Sequence, residues 1–288
     1  MPQSPRLLRP RQTIHPEAAA WAARVVANGS SVSGLTLSAV DKFCKAIASA
    51  GIRDRFYRLN LFCGTGLNAA LVPLYRGPSL GGTQYGGATD TNLGSPAFLA
   101  GDYNEMGTSG GLLGNGSSKY LNTAFNVDQL PGAANCHIAS FITGTQDITA
   151  VRTLVGTIFN GVTDRYRLFV RTDGSTSPNY TLQVDLGKSD AASQINRTNT
   201  SSGLFVGSRT STTRLVLYAN AAQVGINETP VAETTGASPF FVFARNGPTE
   251  FYNGRMAAYS IGAGMDAPQV TAYNTAMQAF QTAMTRIA

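Results

Sequence analysis

The chain has 288 residues and a formal charge of +6, from 22 Lys and Arg against 16 Asp and Glu. Charged side chains make up 13% of it, about half the usual ~25%, while 43% of residues are hydrophobic, so a core can be filled and charge-driven disorder is excluded. The excess charge is local: residues 1–60 hold nine basic side chains against three acids, and the rest of the chain sums to zero.

Residues 1–12 (MPQSPRLLRPRQ) combine three prolines with Arg6, Arg9 and Arg11 and show no periodicity, which predicts an extended basic arm. A short helix is expected over 16–27, with Pro16 in its first turn, Arg24 near its end and Asn28-Gly29 as its stop. Leu37, Val40, Phe43, Cys44 and Ile47 recur at helical spacing and predict a second helix that ends at Gly51. Arg55–Cys63 reads as a strand. From Gly64 to Ser118 the sequence is dense in Gly, Asn, Ser and Thr. A loop that long would be uncommon in a compact domain, so edge strands and ordered loops are expected, with Ala69–Tyr75 as one strand.

From about Lys119 to Gly262 the pattern is all-β. Tyr180, Leu182, Val184 and Leu186 alternate with polar residues, as do Tyr166, Leu168 and Val170 with Arg165, Arg167 and Arg171. Further strands are expected at Tyr120–Phe125, His137–Thr143, Thr153–Phe159, Leu204–Ser208, Arg214–Tyr218, Gln223–Asn227, Phe240–Arg245 and Arg255–Ile261. Many short strands joined by Gly/Asn/Ser turns predict an antiparallel β-sandwich or jelly roll. A C-terminal helix is expected over 266–286, opened by the Asp266/Gln269 pair and carrying an apolar seam of Val270, Tyr273, Met277, Phe280, Met284 and Ile287.

Motifs for chemistry are weak. Gly64-Thr-Gly66-Leu-Asn-Ala69 matches a dinucleotide fingerprint, but Pro73 would break the helix that the fingerprint needs, so a hairpin turn is expected. Gly107-Thr-Ser109-Gly-Gly111 resembles a nucleophile loop, yet the only histidines, His15 and His137, are not placed to serve Ser109 as a base. Asp90/Asn92 and Asp102/Asn104 are read as turn formers before calcium ligands. The three cysteines, Cys44, Cys63 and Cys136, fit neither a disulfide framework nor a zinc knuckle. Carboxylates do not recur at alternate positions of one strand as glycosidase chemistry would favour. Six N-x-S/T sequons are taken as a by-product of composition. No catalytic, cofactor-binding or metal-binding residue is therefore expected, and neither a membrane span nor a secretory leader is read from the sequence. Without clustered aromatics, the basic segment suits docking on a protein surface better than nucleic acid.

The run Gly111-Leu-Leu-Gly-Asn-Gly116-Ser-Ser-Lys-Tyr120-Leu-Asn-Thr123 resembles the entry strand of concanavalin A-like (laminin G-like) jelly rolls. Phe240-Phe-Val-Phe-Ala-Arg245-Asn followed by Phe251-Tyr-Asn-Gly254-Arg-Met-Ala-Ala-Tyr259-Ser-Ile261-Gly resembles the closing strand pair of that family. The terminal helix, and the Trp21-Ala-Ala-Arg24-Val-Val-Ala-Asn-Gly29 helix before a sandwich, are similar to versions found in virion proteins of tailed bacteriophages. The resemblance implies a mainly β concanavalin A-like jelly roll with a small N-terminal helical region and a C-terminal helix. It divides the chain into a basic anchoring region (1–60), a sandwich (61–265) and a C-terminal helix packed on the sandwich (266–288). It further implies a non-enzymatic virion protein, assembled in the host cytoplasm and then carried on the extracellular particle, and forming a homo-oligomer. Arg6, Arg9, Arg11 and Arg24 would dock it to other virion proteins of tail or capsid. The tail, baseplate or fibre role brings contact with host-surface glycan. The alternatives are a capsid decoration protein and a polysaccharide-degrading enzyme on the same fold. Deleting residues 1–30 is expected to leave a folded β protein that no longer joins particles.

Overall fold

The computed structural model describes residues 13–143, 150–159, 164–172, 180–188, 195–198, 202–228 and 236–287. Helix α1 (Pro16–Ala27) starts with Pro16 behind its N-cap His15 and stops at Asn28 and Gly29, where φ turns to 74°. Helix α2 (Gly34–Ser49) is capped by the Ser33 hydroxyl, which accepts from the Thr36 amide at 3.1 Å, and Gly51 follows it at φ 66°. Strand β1 (Phe56–Asn60) and the single-turn helix α3 (Leu67–Ala70) come next. Short strands β2 (Thr91–Leu93), β3 (Tyr103–Asn104) and β4 (Gly111–Leu113) thread the Gly-rich region as expected. The sandwich continues with β5 (Tyr120–Asn126), β6 (Cys136–Thr143), β7 (Arg152–Phe159), β8 (Asp164–Thr172), β9 (Tyr180–Lys188) and β10 (Ile195–Thr198). It is completed by β11 (Gly203–Ser211), β12 (Arg214–Ala219), β13 (Ala222–Asn227), β14 (Pro239–Val242) and β15 (Arg255–Gly262), before helix α4 (Ala267–Ala283).

The strands form two antiparallel sheets. The helix-covered sheet runs β13-β12-β11-β6-β15-β4-β3, with β1 also paired to β15, and the second runs β10-β9-β8-β7-β14-β5-β2. Between them lies a core that includes Phe125, Ile138, Leu168, Val184, Phe205, Leu217, Phe240 and Tyr259. Gly207 of β11 lets the sheets approach closely there, because a Cβ at that position would collide with Val184 of β9.

A second core lies on the other face of the first sheet. Trp21 and Val25 of α1, Phe43 and Ile47 of α2, and Tyr273, Met277 and Phe280 of α4 pack on Ala139, Phe141, Val206 and Tyr218. Phe43 and Phe280 meet edge-on with ring centroids 6.0 Å apart. The architecture is therefore three layers: sheet, sheet, helices. This explains why every residue of β6 is buried, since a strand covered on both faces cannot alternate with solvent. The seam of α4 faces this layer, as the sequence suggests.

Two expectations need correction. Ala69–Tyr75 is not a strand: α3 occupies 67–70, and only an isolated bridge joins Tyr75 to Leu59. The deletion of residues 1–30 would remove Ala18, Trp21 and Val25 from the helical core, so it is expected to unfold part of the body. Removing residues 1–12 instead spares every residue of that core.

Candidate functional site

The sequence-predicted residues fall in several places. Arg6, Arg9 and Arg11 lie outside the described residues. Arg24 is half-buried and its Nη2 donates to the carbonyls of Pro73 (3.1 Å) and Leu74 (2.9 Å), fastening α1 to the segment beneath it. Ser109 is exposed in its loop, whereas His137 is fully buried beneath α4, so they are not a nucleophile–base pair. Gly64 and Gly66 take φ of 101° and 86°, and Gly66 precedes one turn of helix, where a hairpin turn was expected. The Gly64 amide donates to Glu105 Oε1 at 2.9 Å, and its carbonyl accepts from the Tyr103 hydroxyl at 2.7 Å. Asn92 pairs with both backbone groups of Phe98, while Asp102 accepts from Lys119 Nζ and the Leu99 amide, each at 2.6 Å. These are turn-forming roles.

His137 sits in a polar thread through the helical core. The Ala263 carbonyl can only accept, so Nδ1 carries the proton that donates to it at 2.7 Å. Nε2 therefore accepts from Ser260 Oγ at 2.9 Å, and the Tyr273 hydroxyl donates to that oxygen at 3.1 Å. Burial, opposed by the Ala263 bond and aided by Arg55, pushes the imidazole down to about 4 from 6.5. The unfolded chain thus protonates first, and stability is lost as pH falls from 6.5 toward 4. Between pH 7 and pH 5 the loss is expected to be about 2 kcal/mol. Urea denaturation across this range should show it, and His137→Asn should flatten the slope by about one proton's worth. An unchanged slope in the variant would contradict the assignment.

On the outer face of the second sheet, two carboxylates converge that lie far apart in sequence. Arg167 Nε donates to Asp185 Oδ2 at 2.6 Å, and its Nη1 donates to both Glu250 oxygens at 3.0 and 2.8 Å. Arg167 and Asp185 are register partners on β8 and β9, whereas Glu250 arrives from a turn at φ 56°. Burial raises Asp185 above its ordinary value. Burial also pushes Glu250 up, but Arg167 and Thr153 more than offset this and hold it low. Both carboxylates are held by one guanidinium, an arrangement that fixes a face.

The remaining feature is a cleft of about 380 Å³ on the outer face of the helix-covered sheet, where β11 and β12 meet the start of α4. Ser208 and Thr210 come from β11, Arg214, Val216 and Tyr218 from β12, and Met265 to Pro268 from the entry to α4. Period-2 alternation aims Val216 and Tyr218 outward while Leu215 and Leu217 enter the sandwich core. Asp266 is locked by its capping box with Gln269, each side chain meeting the other's amide at 3.0 Å. The Ser208 hydroxyl, 2.7 Å from both the nitrogen and the oxygen of Met265, fastens the α4 entry to β11. Burial pushes the Tyr218 phenol up, with Arg214 pulling against it and Asp266 adding to it, so the hydroxyl keeps its proton. Val216, Tyr218 and Met265 form a floor that is almost wholly buried, so the open surface of the cleft comes from Thr210, Arg214, Asp266, Ala267 and Pro268. A guanidinium, a carboxylate and a hydroxyl thus surround the opening, and the volume lies within the ~300–1,000 Å³ of small-ligand sites. No sequence motif marked this cleft, whose lining comes from residues up to 60 positions apart.

The fold is a mainly β antiparallel sandwich with few helices, at its N- and C-termini. No family model and no curated protein matches the sequence. Among solved structures, the receptor-binding domain of botulinum neurotoxin C/D mosaic serotype is similar at 12% identity and a TM-score of 0.49, over 78% of this chain and 52% of that one. The binding domain of serotype D gives 12% and 0.48, over 80% and 52%. The sialidase carbohydrate-binding module (CBM40) of Ruminococcus gnavus, bound to α2,3 sialyllactose, gives 11% and 0.38, over 57% and 95%. This chain thus spans about half the length of the toxin chains it matches. These likenesses concern strand arrangement, and no ligand of those proteins is transferred by them. Among the described residues, no helix is long and apolar enough to cross a membrane.

Proposed function

We propose that this protein is a non-catalytic binding module of a tailed-bacteriophage particle, displayed as a tail, baseplate or fibre component and contacting host-surface glycan through the cleft at the start of α4. The cleft carries the reading: exposed Thr210, Arg214 and Asp266 offer hydrogen-bonding groups for sugar hydroxyls, with Ala267 and Pro268 beside them. The resemblance of the terminal helix and of the Trp21–Gly29 segment to those of tailed-phage virion proteins supports the particle. The docking element in this reading is the basic arm of Arg6, Arg9 and Arg11, since Arg24 is taken up in fastening α1 to Pro73 and Leu74, and the partners are other virion proteins.

The test is a glycan array probed with the full chain, beside a reducing-sugar assay on every glycan bound. Binding without sugar release is expected. Sugar release would make the protein a polysaccharide-degrading enzyme, and no binding together with uniform immuno-gold labelling over the head would make it a capsid decoration protein. For docking, a chain lacking residues 1–12 should keep its thermal midpoint yet fail to co-sediment with particles. Co-sedimentation at the level of the full chain would contradict the arm's role.

A further inference from the structure

We propose that His15, Glu17 and Cys44 form a binding site for a zinc-like divalent transition-metal ion. One ligand atom from each lies within 4.8 Å of the other two. Zinc bonds of ~2.0–2.3 Å imply ligand separations of about 3.3–3.8 Å, so the three need to close by only about an ångström.

The placement follows from how α1 meets α2. His15 is the N-cap of α1, and its backbone amide donates to Asp41 Oδ1 at 2.6 Å, which ties it to α2. Cys44 lies three residues beyond Asp41 on the same helical face, and Glu17 is in the first turn of α1. The His15 ring is weakly held: its Nδ1 accepts from the Glu17 amide at a long 3.3 Å.

Two observations point to an ion and not only to a cap. First, nitrogen, oxygen and sulfur from three residue types form the donor set of a borderline-soft metal, whereas calcium or magnesium would want oxygen alone. Second, Glu17 already has the support that a ligating carboxylate needs. Arg53 Nε donates to both its oxygens at 2.7 Å, and Arg53 is itself fixed by the Phe56 and Gly77 carbonyls and by stacking 3.7 Å over the Tyr75 ring.

Without metal, burial pushes the Cys44 thiol up to about 12, so it is protonated. Binding replaces the S–H bond by a sulfur–metal bond and releases that proton to solvent, with no change of oxidation state. Three protein ligands leave a fourth position for water, and half-buried His15 gives the entry side. The ion would staple the N-cap of α1 to α2 directly behind the basic arm.

Full chain stripped with chelator and titrated with Co²⁺ should develop a sulfur-to-cobalt charge-transfer band, and Zn²⁺ should quench it. Zn²⁺ at a hundredfold excess over its Kd should raise the thermal midpoint by about 4–5 °C. Cys44→Ala and His15→Ala should each abolish band and shift, whereas Cys63→Ala and Cys136→Ala, at the other buried thiols, should retain both. His15→Ala guards against a folding artefact, since that side chain is only half-buried. Absence of the band in the unaltered chain, or its persistence in the Cys44 and His15 variants, would overturn the site.

Discussion

Replacing Arg58 with methionine is expected to destabilise the protein by about 3–5 kcal/mol, enough to unfold a marginal chain. Arg58 is fully buried on β1. Its Nε and Nη2 donate to Asp90 Oδ1 at 3.1 and 2.6 Å, and its Nη1 donates to the Tyr85 and Gly87 carbonyls at 3.2 and 3.0 Å. Asp90 is 1% exposed and also accepts from the Tyr259 hydroxyl and from Asn60 Nδ2 at 2.8 Å. Burial, with the Asp90 charge next, pushes the Tyr259 phenol well above its ordinary value, so Tyr259 stays a donor. Removing the guanidinium strands a charged carboxylate where water cannot reach it, while removing both partners leaves no buried charge and strands only neutral groups, the Tyr259 hydroxyl, the Asn60 amide and two backbone carbonyls. Urea denaturation should therefore show Arg58→Met/Asp90→Leu recovering a large part of the loss. A double variant as unstable as the sum of the singles would contradict this account of the pair.

Trp21→Ala should cost about 3–5 kcal/mol. The indole is 1% exposed in the helical core, and its Nε1 donates to the Val72 carbonyl at 3.1 Å across 51 positions of sequence. The substitution leaves a cavity between α1 and the segment after α3, and it orphans that buried carbonyl. Circular dichroism during denaturation is the readout, because this is the chain's single tryptophan and its fluorescence is lost with it. A change below about 1 kcal/mol would mean that α1 is a peripheral anchor and no part of the body.

The sandwich is legible because apolar and polar residues alternate with period 2 in strands such as β9, even though its polar Gln183 and Asp185 are buried too, and the helices because caps and seams are local. The basic segment misled in part. A charge count reads Arg24, Arg53 and Arg58 as surface, but Arg53 is bound to Glu17, Arg58 to Asp90, and Arg24 to two backbone carbonyls. Each partner is distant in sequence, so no spacing rule reveals it. The same reason hid the cleft, where Tyr218 and Asp266 meet only after β12 and α4 are placed, and the His15, Glu17 and Cys44 cluster, which spans two helices. The α3 turn was missed because Pro73 was read as excluding helix, and one turn fits before it.

The most direct test of the glycan-binding account is a titration of the full chain with its strongest array glycan, repeated with Thr210→Trp and Arg214→Ala. Both positions are exposed rims of the cleft, so both variants should fold with unchanged thermal midpoints. The account predicts that the indole filling the cleft, and the loss of the guanidinium, each weaken binding by about tenfold or more. Affinity unchanged in both variants would contradict it and place any glycan contact elsewhere on the molecule.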